Sequence, residues 1–203
     1  MVDQNVSDEA VKARTGKSWK QWFAILDRAG SREKPHREIA RWLAAHHDVG
    51  GWWSQTITVR YEQARGLRVV GQACTGDFQV SVTRTVPLPR ERAFAACTQA
   101  RLLNRWYTRG ARFRAEVGGR YSNADGDRGE VRSLKAPERI RLSWENPELC
   151  PGTTVELYFT ARGPGRTAVV AHHMKLGSQD DRERVRAHWT AALEALRDWA
   201  GEG

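Results

Sequence analysis

The apolar residues change their period once along this chain, near Asp77, so the chain must build two differently packed bodies. Upstream the spacing is helical. Trp19, Trp22, Phe23 and Leu26 fall at i, i+3, i+4 and i+7, one face of a 3.6-residue repeat. Ser18 and Gln21 bracket its start as a capping box, and Gly30 supplies a stop. Pro35 reads as the first position of a second helix, with the stripe Ile39, Trp42 and Leu43, which Gly50 and Gly51 break. Trp52 to Arg65 carries two signals. Thr56-Ile57-Thr58-Val59 is β-branched and suits a strand, whereas Trp53, Ile57, Tyr61 and Ala64 share a helical face that Gly66 can cap. We read it as a helix. Helices this short are marginal alone, so their Trp-bearing faces must bury one another.

Downstream the period is two. Phe78, Val80 and Val82 alternate with polar residues, and Pro87 to Pro89 ends that strand. Arg90 to Trp106 suits one or two short helices. Alternation returns at Phe113, Ala115 and Val117, with Gly118 and Gly119 placed to bend or bulge the strand. Asp125-Gly126 is a turn, and Gly129 opens the next strand. Ile140, Leu142 and Trp144 form a further strand, as do Val155, Leu157 and Phe159. Gly163-Pro164-Gly165 turns the chain into Thr167–Val170. Asp180 and Asp181 suit a helix N-terminus, and Val185, Trp189, Ala192, Leu193, Leu196 and Trp199 make the stripe of a long final helix. A twisted sheet with one apolar face needs a cover, and only that helix is long enough. The expected class is α+β: a curved antiparallel sheet wrapped on a long C-terminal helix, the helix grip, preceded by a small all-α domain of three to four helices. The expected boundaries are 1–71 for the helical domain, 72–76 for a linker and 77–203 for the second domain.

Composition narrows the classes further. Nine Trp and five Phe are too many large apolar groups for a disordered chain. No apolar run approaches the ~18 residues a membrane span needs. Met1 to Asn5 has neither a basic nor an apolar leader segment, so a cytoplasmic setting is expected. Cys74, Cys97 and Cys150 are odd in number and form no CxxC, as for reduced thiols. The net charge of +9 raises the question of nucleic acid. Residues 1–72 hold 12 basic and 8 acidic side chains, and residues 73–203 hold 21 and 16, so neither half is a basic arm, and nucleic acid is disfavoured as a partner.

The second segment resembles the START-like (SRPBCC) superfamily, in the branch similar to the activator of heat-shock-protein ATPase. The resemblance covers roughly Asp77 to Trp199. It is carried by Val80 to Val86 followed by Pro87 and Pro89, Arg105-Trp106-Tyr107, Val117-Gly118-Gly119-Arg120-Tyr121, Gly129-Glu130-Val131, Pro137 to Ile140 ending in Trp144, and the helix from His188-Trp189 to Leu196. It implies a helix-grip fold with an apolar cavity, in relatives that hold or transform lipophilic molecules or assist chaperones. It transfers no catalytic residue. Residues ~7–71 resemble an uncharacterised helical domain through Thr15 to Trp19, Trp42-Leu43, Gly51-Trp52-Trp53 and Val59 to Gly66.

Chemistry-bearing motifs are few. Gly163 to Thr167 lacks phosphate-loop spacing, and no GxSxG or HExxH occurs. No cofactor or metal is expected. Asp125 and Asp127 sit in a turn without the remaining ligands of a calcium loop, and we read them as solvated. His46 and His47 end a helix, where a cation suits the dipole, and His36 in a first turn reads as structural. His172 and His173 are neighbours on a strand and face opposite ways, so one faces inward, as a base in a cavity or, more commonly, as a hydrogen-bonded core histidine. Arg84 and Glu130 interrupt apolar strands and orient a ligand only if they point inward. Ligand-cavity candidates are Trp106, Phe113, Tyr121, Trp144, Phe159, His173, Trp189 and Leu193, with Arg84, Glu130 and His172 as polar anchors. Core and pocket are built from the same residue types, so the two roles overlap here. The expected function is binding of a small lipophilic molecule between sheet and final helix. Alternatives are a cyclase- or hydratase-type enzyme using a cavity histidine, and a protein-interaction or chaperone-assisting module acting through exposed Trp among Trp19, Trp22, Trp42, Trp52 and Trp53. Oligomeric state is not assigned.

Overall fold

A computed structural model describes residues 6–69, 72–73 and 76–202. Met1 to Asn5, Gly71, Cys74 and Thr75, named above in the leader, boundary, thiol and linker readings, lie outside them. The chain divides into two units, Met1–Cys74 and Thr75–Gly203.

The first unit holds α1 (Asp8–Thr15), α2 (Trp19–Arg28), α3 (His36–His46) and α4 (Gly51–Ala64). Trp22, Leu26, Ile39, Leu43, Ile57 and Tyr61 are buried together at its centre. The Ser18–Gln21 capping box opens α2, and the left-handed Gly30 follows its end. Pro35 is the N-cap of α3 rather than its first turn. The helix α1 has no counterpart in the periodicity, because Val11 is its only buried residue and it shows no stripe. The β-branched run in α4 is helical because the Thr56 and Thr58 hydroxyls donate back to the carbonyls of Trp52 and Ser54, at 2.8 and 2.7 Å.

The second unit is a seven-stranded antiparallel sheet with three helices. The strands are β1 (Phe78–Val86), β2 (Arg112–Phe113), β3 (Arg120–Ser122), β4 (Arg128–Lys135), β5 (Arg139–Asn146), β6 (Cys150–Ala161) and β7 (Thr167–Leu176), in the order β1-β7-β6-β5-β4-β3-β2. The helices are α5 (Arg90–Thr98), α6 (Ala100–Trp106) and α7 (Gln179–Gly201). Register explains the two faces. Val80, His173, Val155, Leu142 and Val131 lie in one cross-strand row, and Ser81, His172, Glu156 and Arg141 in the next. The first row faces the core with α7, and the second faces away. The stripe Val185, Trp189, Ala192, Leu193 and Leu196 is buried against the inner face. Arg182 Nε donates to the Gln79 carbonyl at 3.2 Å, tying the start of α7 to β1. The α+β helix-grip expectation holds.

One strand is shorter than its alternation predicts. The β2 strand stops at Phe113, and Val117 is 66% exposed. Gly119 packs so tightly that a Cβ would lie 2.1 Å from the Arg114 carbonyl oxygen. The backbone therefore folds over at residues 114–119, and the apolar side chains of Ala115 and Val117 leave the core face.

Candidate functional site

Between α7, α6 and the inner sheet face lies a cavity of about 60 Å³. Six of the eight expected cavity residues line it: Trp106, Phe113, Tyr121, Trp144, Trp189 and Leu193. Their positions follow from the elements. Trp106 ends α6 and is fixed by donation from its Nε1 to the Ala96 carbonyl at 3.0 Å. Phe113 and Tyr121 face each other across β2 and β3, stacked at 5.5 Å. The Tyr121 hydroxyl donates to the Ser143 carbonyl at 2.9 Å. Trp144 comes from β5, and Trp189 and Leu193 from successive turns of α7.

Phe159 and His173 lie elsewhere. Phe159 packs edge-on against Phe94 at 5.2 Å in the core, away from the cavity lining. His173 is the inward member of its pair and is fully buried. Trp189 Nε1 can only donate, and it reaches His173 Nδ1 at 3.0 Å. The proton of His173 therefore sits on Nε2 and is donated to Thr153 Oγ1 at 2.8 Å, and Thr153 donates onward to the Trp144 carbonyl at 3.1 Å. Burial, then the nearby His188 and His172, push this imidazole down to about 3. Both nitrogens are occupied and the ring is sealed, so it braces Trp189 and does not meet a substrate.

None of the three expected polar anchors reaches the cavity. Arg84 Nη2 pairs with Glu194 on α7 at 2.8 Å, with both side chains part-exposed. Glu130 lies on the outer face, paired with Arg132 at 3.0 Å. His172 is on the outer row and meets Ser81 Oγ at 2.6 Å. For Glu130 and His172 the physical reason is parity, since they belong to the alternate residues that β4 and β7 turn away from the cavity. Arg84 instead shares the inward parity of Val80 and Val82 but lies on the edge strand β1, where Glu194 of α7 takes it up.

The polar end of the cavity is instead a set of residues the periodicity did not mark. Asp127, read as solvated, is 3% exposed. Its Oδ2 accepts from Tyr107 Oη at 2.7 Å and Asn123 Nδ2 at 2.9 Å, and its Oδ1 from Asn146 Nδ2 at 2.8 Å. Because the Tyr107 proton goes to the carboxylate, His188 Nε2 must donate to the Tyr107 oxygen, at 2.9 Å. Burial, with Asp127 beside it, holds the Tyr107 phenol well above its ordinary range. Burial depresses His188. Trp106, Tyr107 and Asp127 also line an open groove with Asp125, Glu148 and His188. The one sequence signal was Asn123-x-x-x-Asp127, whose Asn side chain accepts from the Asp127 backbone amide at 2.9 Å and turns the carboxylate inward. Among the described residues no cluster of His, Cys, Asp and Glu could hold a metal ion, and no helix is long and apolar enough to cross a membrane.

Comparison with known proteins bears on the fold. An HSP90 activator from Plasmodium falciparum is 22% identical with a TM-score of 0.55, over 61% of this chain and 96% of its own. CalU16 from Micromonospora echinospora is 23% identical with a TM-score of 0.53, over 61% and 76%. The Aha1 dimer from Colwellia psychrerythraea is 19% identical with a TM-score of 0.53, over 60% and 95%. At these identities the likeness is one of fold. No curated protein matches the sequence. Residues 8–63 match a domain of unknown function, DUF4287. Residues 87–201, more than half of the chain, match the family described as Activator of Hsp90 ATPase homolog 1-like protein, and the chain belongs to that family.

Proposed function

We propose that the second unit binds a small apolar molecule in the cavity between the sheet and α7. The observation that carries this reading is the aromatic enclosure: Trp106, Phe113, Tyr121, Trp144 and Trp189 surround free space, with one hydrogen-bonded polar end at Tyr107 and Asp127. Ligand sites are built this way, mostly apolar with few polar groups. The free volume of about 60 Å³ limits the closed form to a few non-hydrogen atoms. A larger guest has to extend into the groove past Trp106 and Tyr107. The sealed His173 leaves the cyclase or hydratase alternative without the base it required. A cytoplasmic setting suits the free, buried Cys97 and Cys150. The test is a panel of small neutral apolar probes scored by thermal midpoint, since a ligand that binds only the native state raises it. The expected result is a concentration-dependent rise that Leu193→Phe, which fills the cavity, abolishes. A rise that survives the filled variant would place binding elsewhere, and no rise at all would overturn the reading.

A second reading, chaperone assistance, is favoured by the family match over residues 87–201. In that reading the helical unit is an accessory whose Trp52, 46% exposed, contributes to a partner contact. Stimulation of an Hsp90 ATPase by the full chain, weakened by Trp52→Ala, is its expected result. An unchanged ATPase rate would remove it.

A further inference from the structure

Two charged side chains line the cavity, Arg112 and Asp127. Arg112 is exposed on β2, whereas Asp127 is buried. All three side chains that donate to Asp127 are neutral: Tyr107, Asn123 and Asn146. Among the described residues no Lys, Arg or His forms an ion pair with it. The imidazole of His188 is one hydrogen bond removed through Tyr107, and burial disfavours its protonated form by more than Asp127 and Asp125 favour it. A buried carboxylate without a counter-charge is costly unless something supplies one. An ionised carboxylate has about four lone-pair positions, and the three side-chain donors leave one.

The aromatic walls that line the cavity with Asp127 suit a cation. Tyr107 and Trp189 lie parallel at 6.5 Å, and Trp106 sits 5.2 Å from Tyr107. Aromatic faces attract ammonium groups, most strongly where water is excluded. An anion would meet Asp127 with like charge, and a neutral guest would leave the carboxylate as it stands.

We infer that the ligand of this cavity is an apolar primary amine, its alkyl end among Trp144, Trp189 and Leu193 and its ammonium against Asp127. The inference rests on the cavity-binding reading and adds a charge to it. The volume of about 60 Å³ equals roughly two waters at ~30 Å³ each, so the enclosed tail is two or three carbons long. A longer amine runs into the groove, where Asp125 and Glu148 carry the same sign as Asp127.

The experiment titrates the ¹⁵N-labelled full chain at pH 7 with propylamine, 1-propanol and propionate, following the indole resonances of Trp106, Trp144 and Trp189. Propylamine is expected to bind at least tenfold more tightly than 1-propanol, with no saturable shift from propionate. Asp127→Asn, which keeps the shape and removes the charge, should bring propylamine to within about threefold of 1-propanol. Equal binding of the amine and the alcohol by the native chain would overturn the inference and leave the cavity reading standing. No saturable shift from any of the three would overturn both. Where Asp127→Asn does not fold, the comparison of the three probes on the native chain decides alone.

Discussion

Gly129 is where the absence of a single side chain shapes the site. A Cβ there would lie 2.0 Å from the Ser143 carbonyl oxygen and 2.8 Å from Tyr121 Cε1. The first neighbour is backbone held in the β4–β5 ladder, and it cannot swing aside. The phenol ring of Tyr121 crosses this space to place its hydroxyl on that same carbonyl. Gly129→Ala is therefore expected to destabilise the second unit by about 3 kcal/mol, at the upper end for overpacking. It should also shift the Tyr121 ring resonances. Urea unfolding measures the first, and a loss below about 1 kcal/mol would show that the corner yields. In the sequence Gly129 is legible as the start of a strand, but not as room for Tyr121, because that role depends on which residue lies opposite. Asp127 was misread for the same reason. An acidic residue in an Asp-Gly-Asp turn looks solvated until Tyr107, from 20 positions earlier, and Asn146, from 19 later, close over it.

At the scale of elements, α7 decides whether a cavity exists, because its Trp189 and Leu193 form one wall. Its start is set by Ser178, whose hydroxyl accepts from the Asp181 amide at 3.1 Å, with Asp180 and Asp181 in the first turn. Ser178→Ala removes the cap and is expected to cost about 1 kcal/mol, while Ser178→Asn, a comparable cap, should cost far less. Chemical denaturation of the two variants checks this, and equal losses would assign the effect to packing instead. The elements that were legible are those with one wet and one dry face. The strands β1 and β5 and the helix α7 show their period directly, because every second or every third to fourth residue is buried. The failures mark where that logic lapses. The helix α1 buries Val11 alone, and the strand expected through Val117 is cut short by the backbone contact at Gly119, which no periodicity carries. Two of the proposed anchors, Glu130 and His172, obey parity so well that it removes them from the cavity, whereas Arg84 has the inward parity and is taken up by Glu194 at the sheet edge.

Over the whole chain, the two units answer acid differently. In the second unit His172, His173 and His188 are all depressed, with burial as the first cause in each. The folded unit then holds fewer protons than its unfolded chain below an ordinary imidazole pKa of about 6.5. Stability therefore falls as pH drops through that value, and for His173 it goes on falling until about 3. In the first unit His36 runs the other way. Its Nδ1 lies 3.0 Å from Glu62, and that hydrogen bond raises it, so its contribution is complete below about 6.5 and is lost as pH rises through the folded value. His47, depressed mainly by burial, opposes His36 within the same unit. Asp27, held at about 2 chiefly by Arg65, does not titrate until far more acid conditions. Between pH 7 and pH 5 the first unit should thus change little, while the second loses about 2 kcal/mol from His173 alone, taking 1.36 kcal/mol per unit of pH over roughly 1.5 units. Hydrogen exchange at the two pH values, corrected for intrinsic rates, separates the units amide by amide. Protection in β1, β6 and β7 is expected to fall while protection in α2, α3 and α4 holds. His173→Gln, which removes the titration and keeps a neutral hydrogen-bonding side chain, should flatten the response of the second unit. Equal losses in both units, or an undiminished response in that variant, would mean that His173 does not stay neutral in the folded sheet, and the sealed chain from Trp189 to the Trp144 carbonyl would have to be abandoned.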